Sequence, residues 1–188
     1  MLELSEIVMT KSSSIDRKIY SKSSMIAISH GLEDMVIEFQ LKSELFVAFQ
    51  KFEFFMVELE RYKILDKLCK KVYIFARNIN RDSVKNFKNT IFIELDEKDE
   101  LVKEWNIIVN HPEHPAVFLT QEVSYSEPFK EDQFREFNGF LNFSTDIVDE
   151  ALKVMENKLS KYGVEYNLLN RNSKKSNQDN VTRKMSFF

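Results

Sequence analysis

The residues in this 188-residue chain with the types and spacing for chemistry fall into a few small groups. Ser29, His30 and Glu33 supply the residue types of a hydrolase triad. Adjacent helical positions point about 100° apart, so Ser29 and His30 cannot share a catalytic hydrogen bond, and the triad reading is rejected. His111, Glu113 and His114 could ligate a metal, but zinc needs three or four convergent ligands and no partner cluster is visible. Pro112 and Pro115 explain that segment as a loop, because proline cannot donate to a sheet ladder. Cys69 is the only cysteine, which excludes an intrachain disulfide and fits a reducing compartment. Its place near a helix end on the core side reads as a small buried hydrophobe. A phosphate-cradling loop needs clustered glycines, whereas Gly31, Gly139 and Gly163 are far apart.

The remaining group depends on two helices. The first is expected over Ser21–Phe39, capped by Ser21 or Ser23, with Met25, Ile28, Leu32, Met35, Val36 and Phe39 on its core face. The second is expected over Phe52–Lys70, with Phe52, Phe55, Met56, Leu59 and Tyr62 inward. Each carries a second stripe: Ile26, His30, Glu33 and Ile37 on the first, and Phe54, Val57, Arg61, Ile64 and Leu68 on the second. Both second stripes are apolar at their ends and charged in the middle. They are expected to meet, Glu33 facing Arg61 with His30 nearby. Such a cluster is either a ligand-orienting site, an ion pair that fixes helix register with little net stability, or a dimer face.

Strands are expected at Leu45–Phe49, Lys71–Arg77, Thr90–Leu95, Trp105–Val109, Ala116–Val123 and Phe137–Phe143, from their β-branched and aromatic content. A polar loop spans Asn78–Asn89, a short helix or turn Asp96–Lys103, and polar chain Ser124–Gln133. A last helix covers Thr145–Tyr162, with Gly163 placed to end it. The order α-β-α-β-β-β-β-β-α gives an α+β fold: one domain, a mostly antiparallel central sheet of five to six strands, and helices packed on it. Residues 1–18 are expected as a loosely ordered lead, 19–163 as the domain, and 164–188 as a basic, disordered tail.

The net charge is −3, and the last 19 residues hold Arg171, Lys174, Lys175, Arg183 and Lys184 against Asp179 alone. The body is therefore more acidic than the whole, which argues against nucleic acid as the main partner. Met1–Thr10 has two glutamates and no basic start, so no secretory leader is expected, and no apolar run reaches the roughly 20 residues of a membrane span. A cytoplasmic location follows from these readings.

The run KSSMIAISHGLE over residues 22–33 resembles the opening motif of the DICT domain, a sensory domain associated with diguanylate cyclases and two-component systems. Phe49-Gln50, Arg61-Tyr62, Val72–Phe75, Trp105, Glu122 and Arg135–Phe140 continue the likeness in order, over about Tyr20–Tyr162. Asn138 and Leu141 depart from it, standing where the family pattern has Glu and Trp. The resemblance implies an α+β sensory domain without established catalytic residues, linked to signal transduction and to light responses. It provides no cofactor, and the stimulus is left open. The chain has no room for a fused cyclase, phosphodiesterase or kinase, so a stand-alone module is expected that signals through a separate protein or by self-association. The candidate ligand-binding residues are His30, Glu33, Gln50, Arg61, Trp105 and Glu122, with no catalytic or metal residue assigned. The alternative is a protein-interaction or dimerisation module that binds no small molecule.

Overall fold

The computed structural model describes residues 4–10, 15–123 and 132–166. Leu4–Met9 forms α1 and Lys18–Ser21 forms β1. Lys22–Glu38 is α2, and its start follows the sequence signal: the Ser21 side chain accepts from the Ser24 N–H at 3.3 Å. Then come β2 (Glu44–Lys51), α3 (Phe52–Val57), α4 (Leu59–Leu68), β3 (Lys71–Arg77), α5 (Arg81–Val84) and β4 (Thr90–Glu94). A 3-10 turn at Glu100–Lys103 leads into β5 (Glu104–Asn110) and β6 (Ala116–Glu122). A second 3-10 turn, Asp132–Phe134, precedes β7 (Glu136–Asn142), and α6 is Thr145–Lys161.

The strands make one sheet in the order β1-β7-β6-β5-β2-β3-β4. The expectation of an α+β fold with a mostly antiparallel sheet holds, with a change in strand count and two parallel pairings. The sheet has seven strands rather than five or six, because β1, at the junction of the expected lead and the first helix, adds antiparallel to β7. It is also mixed: β2–β3 and β3–β4 are parallel, while the other neighbouring pairs are antiparallel. Helices α3 and α4 supply the crossover from β2 to β3 that a parallel pair requires. Gly139 is fixed by close approach, since a Cβ there would lie 2.1 Å from the Leu119 carbonyl oxygen on β6.

Strands β2 and β3 are buried along nearly their whole length, as expected of central strands. Side chains alternate across the sheet, so Leu45, Val47, Phe49, Val72, Ile74, Ile107 and Phe118 share a core with Met25, Leu32 and Val36 of α2. Phe52, Phe55, Tyr62 and Leu65 from α3 and α4 complete it. Phe55 is its aromatic hub, with ring centroids of Phe49, Phe52, Tyr62 and Phe92 all 5.2–5.6 Å away. Each such buried ring contributes roughly 1.5–3 kcal/mol through area alone.

The helix expected over Phe52–Lys70 is two helices, interrupted at Glu58 with φ −97° and ψ 7°. The interruption has no glycine or proline to announce it, and it aims Glu58 towards α2. The lead carries α1, whose Leu4 and Val8 are buried, and the Leu4 N–H donates to Glu104 Oε1 at 3.0 Å.

The chain divides into two compact units, residues 1–151 and 152–188, with the boundary inside α6. In the second unit Leu152, Met155 and Leu159 are buried, and Gly163 at φ 71° ends the helix as the sequence predicts, the Val164 N–H reaching back to the Leu159 carbonyl at 2.9 Å. The tail expected over 164–188 lies outside the described residues from 167 onward.

Candidate functional site

The six candidate residues fall into two clusters. His30, Glu33 and Arg61 meet where α2 faces the start of α4. Gln50, Trp105 and Glu122 meet at the end of the sheet where β2 and β6 finish and β5 and β7 begin.

In the first cluster Arg61 Nε lies 3.3 Å from Glu33 Oε2, and Arg61 Nη1 bonds Asp34 Oδ1. His30 Nε2 lies 3.1 Å from Glu58 Oε2, which is itself 3.8 Å from Arg61 Nε. The Tyr62 hydroxyl, fully buried, donates to Glu33 Oε1 at 2.7 Å. The meeting of the two second stripes thus takes place, but Glu33 is only 3% exposed: it belongs to the buried side of α2 beside Leu32, not to the solvent side. Asp34, Glu58 and Tyr62 join the cluster without having been among the candidates.

The electrostatics are unbalanced. Three carboxylates, Glu33, Asp34 and Glu58, face one guanidinium. Burial pushes the Glu33 carboxyl up from 4.5 to about 7, against the pull of the Tyr62 hydroxyl and Arg61, and the Glu58 and Asp34 charges add to the rise. Glu33 Oε2 makes no hydrogen bond: Arg61 Nε attracts it as a charge but is not aligned to donate. One helical turn earlier, the buried Ser29 Oγ also has no hydrogen-bond partner. These two atoms stand at positions i and i+4 on one helix, an exception to the rule that buried polar atoms are nearly always satisfied.

The second cluster is closed. Arg135 forks onto Glu122, with Nε to Oε1 at 2.8 Å and Nη2 to Oε2 at 2.7 Å. Gln50 donates to Glu122 Oε2 at 3.0 Å and accepts from Arg135. The guanidinium sits between the rings of Phe54 and Phe137, each centroid 5.1 Å away. Trp105 meets Phe137 edge-on at 5.7 Å. Asp132 continues the network from Arg135 to Lys22 at the start of α2. Gln50 has φ 60°, a left-handed conformation that a non-glycine residue adopts only under constraint, at the irregularity where β2 leaves register with β3. A contact chain joins the two clusters: Tyr62 packs edge-on against Phe49 at 5.3 Å, and Phe49 precedes Gln50.

The other residues weighed for chemistry lie elsewhere. His111 Nδ1 accepts from the Glu113 and His114 N–H groups at 3.3 and 3.2 Å, and its ring stacks on His114, which stacks on Phe39. Cys69 is buried, and burial pushes its thiol up to about 11, a poor nucleophile at neutral pH. Strand alternation puts Phe140 on the opposite face of the sheet from Phe137. An open cleft of about 430 Å³ beside β1 is lined by Asp16, Lys18, Tyr20 and Asn142 among others, and it contains none of the six candidates.

Among the described residues no helix is long and apolar enough to cross a membrane. No curated protein matches the chain. The family model of the DICT domain, the sensory domain in diguanylate cyclases and two-component systems, matches residues 2–123. That span contains all six candidate residues together with Asp34, Glu58 and Tyr62, and it ends before Arg135. The chain belongs to the DICT family of sensory domains.

Proposed function

We propose that this chain is a non-enzymatic signalling module that reads its input at the α2–α4 cluster and passes it to a separate protein. The input neutralises Glu33, by a proton or by a ligand that brings positive charge or donors. Neutralisation changes how α2 sits against α4, and a partner that prefers one arrangement is recruited or released. The observation that carries this reading is the Glu33 carboxyl: buried, raised to about 7, and with Oε2 unbonded. Titration near neutral pH makes it a group whose charge a modest stimulus can change. Gln50, Trp105 and Glu122 form the alternative ligand site. The first cluster is favoured because the hydrogen bonds of the second are already made within the protein.

The competing reading, an interaction or dimerisation module without a small-molecule ligand, draws on Val57 (81% exposed) and Ile64 (47%), apolar residues on α3 and α4. Amide hydrogen exchange separates the two. Under the sensory reading, wild type and Glu33→Gln differ in exchange along α2 and α4 at pH 8 and converge near pH 4.5. A pure interaction module gives no such pH-dependent difference.

A further inference from the structure

We propose that the α2–α4 cluster is a binding site for a divalent transition-metal ion, with His30, Glu33 and Glu58 as its protein ligands. The inference rests on the sensory reading of the cluster and names the ligand class.

One ligand atom from each residue, an imidazole nitrogen of His30 and a carboxylate oxygen of Glu33 and of Glu58, lies within 4.8 Å of the other two. His30 and Glu33 project from the same face of α2 at positions i and i+3, and the interruption between α3 and α4 brings Glu58 against them. Donors around a tetrahedral zinc ion sit about 3.4 Å apart, given bonds of about 2.1 Å. The His30–Glu58 pair is already at 3.1 Å, and the group closes by movements of about an ångström.

Three further features fit a metal. The Tyr62 hydroxyl holds Glu33 Oε1, which orients the carboxylate and leaves Oε2 directed into the group without a hydrogen bond. One imidazole with two carboxylates is a donor set for Zn²⁺ or Mn²⁺ rather than for soft or purely oxygen-seeking ions. The His30 and Glu58 side chains are 33% and 24% exposed, so the group opens to solvent and three protein ligands leave a coordination position for water or a small ligand.

Arg61 is the element that makes such a site responsive. Its Nε is the present counter-charge of Glu33, and its Nη1 is already bonded to Asp34. A divalent ion on Glu33 repels the guanidinium towards Asp34, exchanging an α2–α4 ion pair for a metal bridge between the same helices.

The test uses the full chain, stripped with chelator and titrated with Zn²⁺ by calorimetry at pH 7.5. The expected result is one ion per chain, with at least tenfold weaker binding in His30→Gln and in Glu58→Gln, each first shown to be folded by circular dichroism. His111→Asn/His114→Asn is expected to bind as wild type does. On the wild-type chain alone, substoichiometric Mn²⁺ is expected to broaden NMR signals of residues 29–34 and 57–62 before all others. Absence of Zn²⁺ binding, undiminished binding in both folded variants, or Mn²⁺ broadening centred elsewhere overturns the proposal. Failure to bind metal with the exchange difference of Glu33→Gln intact removes the metal and leaves the sensory reading. Metal binding at these residues without that exchange difference does the reverse.

Discussion

Replacing Glu33 by Gln keeps the shape of the side chain and fixes it in the uncharged form. In the folded protein the carboxyl titrates at about 7, compared with 4.5 when exposed, mainly because burial disfavours its charge. A group raised in this way binds more protons folded than unfolded between those two values, so its contribution to stability falls as pH rises through that window. At about 1.4 kcal/mol per pH unit, ionised Glu33 costs the fold about 3 kcal/mol once the pH exceeds 7. The groups that set this value are Tyr62, Arg61, Glu58 and Asp34. The amide introduced by the substitution still accepts the Tyr62 hydroxyl bond through its carbonyl oxygen. Glu33→Gln is therefore expected to match wild type near pH 4.5 and to be about 3 kcal/mol more stable at pH 8. With a urea m-value of about 2 kcal/mol per molar, the midpoint moves up by about 1.5 M. Urea melts of both proteins at half-unit pH steps measure the difference, and other carboxylates cancel because they are common to both. Parallel pH profiles, or a variant less stable than wild type at pH 8, refute the reasoning.

Two further substitutions test the frame that holds the site. Gly139→Ala drives a methyl group into the β6 backbone at Leu119 and Thr120, and a loss of about 3 kcal/mol in thermal or urea melts is expected; a loss under about 0.5 kcal/mol contradicts the close β6–β7 approach. Arg135→Met leaves the buried Glu122 carboxylate without its fork and is expected to cost about 3–5 kcal/mol, whereas adding Glu122→Met recovers much of the loss. A double variant no better than the single one shows that Arg135 acts through its aromatic contacts instead.

What the sequence reveals of this protein follows from the range of each signal. Helical periodicity is local and strong, so Ser21 as cap, Met25, Leu32 and Val36 on the α2 core face and the meeting of Glu33 with Arg61 are readable from spacing, whereas Phe39, expected inward, lies past the helix end and is exposed. The place of Glu58 is not, because the break between α3 and α4 falls in a run free of glycine and proline and is set by packing around Phe55 and Tyr62. The segment Lys18–Ser21 has only one large apolar residue besides Tyr20, so it becomes a strand through pairing with β7 rather than by its own preference. The Gln50–Glu122–Arg135 network joins residues 72 and 85 positions apart, and Arg135, although visible in the family likeness, gains its importance only when the ends of β2 and β6 and the start of β7 come to one end of the sheet. Parallel β2–β3–β4 pairing is equally non-local, which is why the mostly antiparallel sheet is legible but the place of its parallel pairs is not.

The claim that the α2–α4 cluster is the sensory input is most directly tested by amide exchange on wild type and Glu33→Gln side by side at each pH, so that intrinsic exchange rates cancel. The expected result is faster exchange of wild-type α2 and α4 at pH 8, by up to about a hundredfold if the full 3 kcal/mol is felt locally, and convergence of the two near pH 4.5. Equal exchange at both pH values, or a difference confined to other parts of the sheet, contradicts it.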